Sequence, residues 1–129
     1  MTMSIYYSAK RKESLTDVER DLIKKLISEY SVQQEIEKFN STGEGYNWTG
    51  FDVYDLKDSS DPDIIFEGST QLPDNMDDAI WEGVQHWTAL LSQIRCTVLN
   101  AEWYVAVEVH VLKWDEEYLE YDLSPPSAE

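Results

Sequence analysis

Glu108 and His110 stand two residues apart in the run from Ala101 to Trp114, and Glu102 and Tyr104 share their parity. Successive side chains on a strand point to opposite faces, so these four would line one face. A carboxylate beside an imidazole can move a proton or help hold a metal ion. A metal needs three or four ligands, and the other histidine, His86, falls in a helical stretch that belongs on the far side of such a sheet. A solvated sheet face is therefore the simpler account. A small enzyme or ligand binder built on Tyr104, Glu108 and His110 is the alternative.

The other candidates for chemistry are weaker. Asp55, Asp58, Asp61 and Asp63 offer oxygen ligands, but they lack the order of a calcium loop, with glycine at position six and glutamate at twelve. They read as a charged turn. Cys96 has no CxxC partner, so packing is its expected role; as the only cysteine it excludes an internal disulfide and suits a reducing compartment. Gly43-Glu44-Gly45 has no basic residue beside it and its glutamate would repel phosphate. No catalytic residue, metal ligand or cofactor is assigned on these grounds.

The elements that must position these residues are legible from periodicity. In Ala101–Trp114 the odd positions Trp103, Val105, Val107, Val109 and Val111 are apolar, which predicts one long strand with one covered face. Ile80, Val84, Trp87, Leu91 and Ile94 form a single helical stripe that would cover it, on a helix capped by Asp74 or Asn75 and ending near Cys96. Gly83 in that helix implies close approach to the sheet. Upstream, Ser4–Ser8 has strand composition, and Ala9-Lys10-Arg11-Lys12 reads as a solvated basic loop. Thr16 and Glu19 form a capping box that starts a helix running to about Tyr30, with a short second helix over 32–39. Residues 40–50 are loop. Phe51–Leu56 and Asp63–Glu67 predict a hairpin around the turn 57–62, and Leu119–Leu123 an added edge strand.

The order is strand, helix, strand, strand, helix, strand. It predicts an α+β two-layer sandwich: an antiparallel sheet of four to five strands with two helices on one face, in the ferredoxin-like βαββαβ order. At 129 residues a single domain over 1–123 is expected, with 124–129 a disordered tail. Neither a signal peptide nor an apolar run of membrane-spanning length is read, which predicts a cytoplasmic protein.

Charge carries the functional expectation. Ten Lys and Arg face 26 Asp and Glu, for a formal net charge of −16. Residues 1–50 hold seven basic and eight acidic residues, whereas 51–129 hold three basic and 18 acidic. Nucleic acid and anionic membranes both demand the opposite sign and are disfavoured as partners. Apart from solubility, such acidity suits attraction to a basic protein, since opposite charge speeds encounter and rejects wrong partners. Small, acidic, single-domain bacterial proteins without catalytic motifs often neutralise a basic protein, as immunity partners of nuclease toxins do. The expectation is an acidic protein-binding module, most concretely an immunity or inhibitor protein against a toxin. Docking would use Asp52, Asp55, Asp58, Asp61, Asp63 and Glu67 around the hairpin, and Asp115, Glu116 and Glu117 at the long strand's end. Trp48, Tyr54 and Trp114 would be its aromatic anchors, although Trp48 and Tyr46 could instead fold back onto the core. A self-associating structural protein, with the open face buried in a homodimer, is the third expectation.

Overall fold

Strand β1, Ser4–Lys10, is the centre about which the chain is arranged in a computed structural model that describes residues 3–54 and 61–122. Ile5, Tyr7 and Ala9 alternate inward and are buried, while Tyr6 and Lys10 face out and are exposed. The strand pairs antiparallel on one side with β3, Ile64–Gln71, and on the other with β4, Glu102–Val107. Strand β2, Asp52–Val53, adds to β3, and β5, His110–Val111, adds to β4. The sheet is therefore five-stranded and antiparallel, in the order β2-β3-β1-β4-β5.

Two helices cover the inward face. Helix α1, Asp17–Glu29, begins at the capping box read from the sequence: Glu19 N donates to Thr16 Oγ1 at 3.1 Å and Thr16 N donates to Glu19 Oε1 at 2.8 Å. A shorter helix α2, Gln33–Thr42, follows, closed by Gly43 in the left-handed conformation. Helix α3, Ala79–Thr97, buries Val84, Trp87, Leu91 and Ile94 of the expected stripe, and Ile80 packs at its margin. These meet Ile5, Tyr7, Phe66, Val105 and Val107 in one hydrophobic core.

The long strand departs from its expectation. Its alternation continues through Val111, yet the chain turns at Glu108–Val109, with Val107 paired to His110. Glu108 takes a φ of 54°, the positive value that a tight hairpin demands. Its amide donates to Ser4 O at 3.0 Å, and its Oε2 accepts from Ser4 N at 2.7 Å. These bonds to the start of β1 hold a turn that contains neither glycine nor asparagine. Val109 and Val111 consequently lie in solvent, not on the core face. The fifth strand is thus β5. The segment expected at the edge instead forms β7, Glu120–Asp122, which pairs with β6, Lys113–Asp115, as a separate ribbon against α3.

Two further details differ. Asp74 and Asn75 do not cap α3, whose N-cap is Asp78 without a side-chain bond. They hold the preceding loop: Asn47 Oδ1 accepts from the amides of Asp74 and Asn75, and Asn47 Nδ2 donates to Asp74 Oδ1. Arg11 is not a solvated loop residue. Its guanidinium binds both Glu19 oxygens and the carbonyls of Glu13, Ser14 and Leu99, and its side chain is 9% exposed.

Candidate functional site

The face of the sheet turned away from the helices is the candidate site. Its register can be read across the strands. One row runs Asp52, Ser69, Tyr6, Ala106 and Val111. The next runs Tyr54, Glu67, Ser8 and Tyr104, with Tyr54 N donating to Glu67 O at 2.8 Å. The third sets Lys10 against Glu102. Each strand directs its apolar alternates to the helices, so these residues share the other face. Tyr6, Tyr54 and Tyr104 are 42%, 42% and 45% exposed. Tyr54 is oriented by a 2.6 Å bond between its hydroxyl and Ser69 Oγ.

The electrostatics of this face are one-sided. Asp52, Glu67 and Glu102 lie among the tyrosines. Lys10 is the only base on the outward strand positions just named, and Asp61 neutralises it at 3.0 Å. The Asp63 amide and, next, the Lys10 hydrogen bond lower the Asp61 carboxyl, and Asp61 raises the Lys10 ammonium. What remains is net negative charge around three amphipathic rings. That arrangement offers apolar contact, hydroxyl hydrogen bonds and attraction for cations, and it contains no nucleophile–base pair.

The residues expected to dock a partner are divided by the fold. Asp52, Tyr54, Asp61, Asp63 and Glu67 lie at the β2–β3 side. Asp115, Glu116 and Glu117 lie on the β6–β7 ribbon, which packs against α3 and is separate from the five-stranded sheet. Asp115 Oδ1 accepts from the amides of Glu117 and Tyr118, so this carboxylate also shapes the ribbon's turn. Asp55 and Asp58 lie outside the described residues. Trp48 is half-buried and packs edge-on to Trp87 and His86, with ring centroids 6.0 and 5.2 Å apart; it has folded back onto the core. Trp114 is half-buried beneath the Arg95 guanidinium, 4.3 Å from its ring centroid.

Tyr104, Glu108 and His110 do not converge. Glu108 is in the turn and bound to Ser4, and His110 is in register with Val107, on the opposite parity from Tyr104. His86, half-buried on α3, sets its Nε2 2.6 Å from the Tyr30 carbonyl at the end of α1. Among the described residues no group of three or more His, Cys, Asp or Glu could hold a metal ion, and no helix is long and apolar enough to cross a membrane. Sequence reasoning missed Tyr6. The signal was its position between Ile5 and Tyr7, which assigns it to the face opposite two core residues.

No family model matches the chain, and no curated protein or solved structure matches it.

Proposed function

We propose that this protein is an acidic docking module that binds a basic protein through the open face of its sheet. The observation that carries the reading is the set of three exposed tyrosines, Tyr6, Tyr54 and Tyr104, on a face whose free charges are carboxylates. Tyrosine supplies contact area at low entropy cost and recurs at the energetic centres of interfaces. The surrounding carboxylates would steer a cationic partner and reject an acidic one. The concrete form is an immunity or inhibitor protein that covers a basic toxin such as a nuclease. Free Cys96 supports a reducing, cytoplasmic setting. The β2-β3-β1-β4 core of the sheet, all antiparallel, supports reading the fold as ferredoxin-like.

The test is a low-salt pull-down eluted by a salt gradient, run with the natural protein and with Tyr6→Ser/Tyr54→Ser/Tyr104→Ser. A basic protein retained by the first and released by the second, at unchanged far-UV dichroism, is the expected result. Inhibition of that protein's activity on addition of the natural chain would establish the inhibitor role. Equal capture by both forms would exclude this face, and a dimer that dissociates in the triple variant would make the face a self-association surface.

A further inference from the structure

A cavity of about 530 Å³ opens on the other side of the sheet, between α1 and the β2–β3 edge. Its size falls within the roughly 300–1,000 Å³ of small-molecule pockets. Ile23 and Phe66 form its buried floor, and Ile27, Val53 and Ile64 its walls. Val53 faces inward yet is 40% exposed. The apolar lining is thus left open at a point where the fold supplies nothing to cover it among the described residues.

Two cations line the mouth. Arg20 and Lys24, one helical turn apart on α1, both border the cavity. Arg20 has a loose ion pair with Asp17 at 3.7 Å, and Lys24 has no ion-pair partner among the described residues. Arg20 and Lys24 are the charged side chains among the described residues that line the cavity, although the protein as a whole carries −16. An apolar body with one anionic end matches both features.

We propose that this cavity binds a small amphipathic monocarboxylate, its apolar body against Ile23, Ile27 and Phe66 and its carboxylate at Arg20 and Lys24. The site is distinct from the open sheet face and would survive the failure of the docking proposal. Tyr54, at the end of β2, borders both.

Decanoate below its micelle concentration is the probe, with decanol and decyltrimethylammonium as neutral and cationic counterparts. Binding is followed by calorimetry and by amide chemical shifts. Saturable binding of one decanoate per chain is expected, with shifts confined to α1, β3 and the Val53–Tyr54 edge. Decanol should bind roughly five- to tenfold more weakly, as two exposed ion pairs allow. Arg20→Glu/Lys24→Glu should weaken decanoate about tenfold or more and leave decanol unchanged. Val53→Trp, which fills the mouth from an exposed edge position, should weaken both. Equal affinity for the three probes, indifference to the charge reversal, shifts centred on Tyr6 and Tyr104, or no binding up to the solubility limit would each overturn the proposal.

Discussion

Arg11 and Glu19 face each other in a two-point pair, Nη2 to Oε1 at 2.8 Å and Nη1 to Oε2 at 3.0 Å. The same guanidinium reaches the Leu99 carbonyl at 2.9 Å, so one side chain joins the β1–α1 connection to the α3–β4 connection. Glu19 is meanwhile the closing residue of the capping box. The Arg11 hydrogen bond, with the Thr16 amide next, holds its carboxyl down at about 2. A depressed carboxyl stabilises the fold above its unfolded value near 4.5, and that contribution is lost as pH falls toward 2. Arg11→Ala should remove roughly 2–3 kcal/mol at pH 7. It should also flatten the dependence of stability on pH between about 4.5 and 2. Urea unfolding at pH 7, 4.5 and 2.5 checks both, and an unchanged acid slope would show that Glu19 is held without Arg11.

At alkaline pH the sensitive group is Tyr7. Its hydroxyl donates to Asp52 O and lies 2.8 Å from Thr70 Oγ1, joining the central strand to β2 across β3. Burial pushes its pKa well above 10. Burial raises Tyr121 in the same direction, opposed by the nearby Arg95. The folded chain therefore keeps protons that the unfolded chain releases, so the stabilisation is complete below pH 10 and declines as pH rises above it. Tyr7→Phe should cost about 1–2 kcal/mol at pH 7, the loss of a buried hydrogen-bonded hydroxyl. Its alkaline decline in melting temperature should be shallower than that of the natural protein. A parallel decline in both would assign the alkaline sensitivity elsewhere.

What the sequence made legible is what alternation and helical spacing encode. Ile5 and Tyr7 against Tyr6, the α1 capping box, and Val84, Trp87, Leu91 and Ile94 on α3 are all visible because one buried face imposes one period. The turn at Glu108 is invisible to that logic. Valine alternation continues across it, and the turn rests on bonds to Ser4, 104 residues earlier. Arg11 was hidden for a similar reason: a basic run looks solvated until Glu13, Ser14, Glu19 and Leu99 are gathered around one member of it. The candidate face was half legible. Asp52 and Glu67 came from the charge pattern, Tyr54 from the aromatic anchors and Tyr104 from strand parity, but joining them to Tyr6 on one face requires the strand order β2-β3-β1-β4, which composition does not carry.

Two glycines test close packing in opposite local contexts. A Cβ on Gly68 would overlap the Asp52 carbonyl and approach Tyr7 Cε2 to 2.6 Å. Gly68→Ala should therefore push β2 from β3, at about 2–3 kcal/mol. A Cβ on Gly83 would come within 2.6 Å of Pro73 Cδ, so this helical glycine serves the approach of α3 to the Leu72–Pro73 chain and not to the sheet itself. Alanine would gain about 1 kcal/mol of helix propensity there. The rigid proline ring should outweigh that gain, for a net loss of about 1 kcal/mol. Denaturant midpoints for the two variants should rank Gly68→Ala lowest; a stabilised Gly83→Ala would show that the Pro73 segment yields.

The β6–β7 ribbon meets α3 through Arg95, Ser92 and the buried ring of Tyr121. Arg95 lies 4.3 Å over the Trp114 ring and 5.7 Å from that of Tyr121, and Ser92 Oγ accepts from Tyr121 N at 3.3 Å. The two rings pack edge-to-face at 5.1 Å. Three bases serve the acidic stretch 51–129, and this one lies against the rings of Trp114 and Tyr121. A two-stranded ribbon is barely stable by itself, so its order depends on its packing against α3, to which Arg95 contributes. Arg95→Ala should cost about 1–2 kcal/mol, confined to the ribbon. Amides of Trp114 and Tyr121 should exchange about tenfold faster, while those of Ile5 and Tyr7 in the central strand change much less. Equal acceleration in both places would mean that the ribbon and sheet open together, and that Arg95 supports the whole fold instead of its appendage.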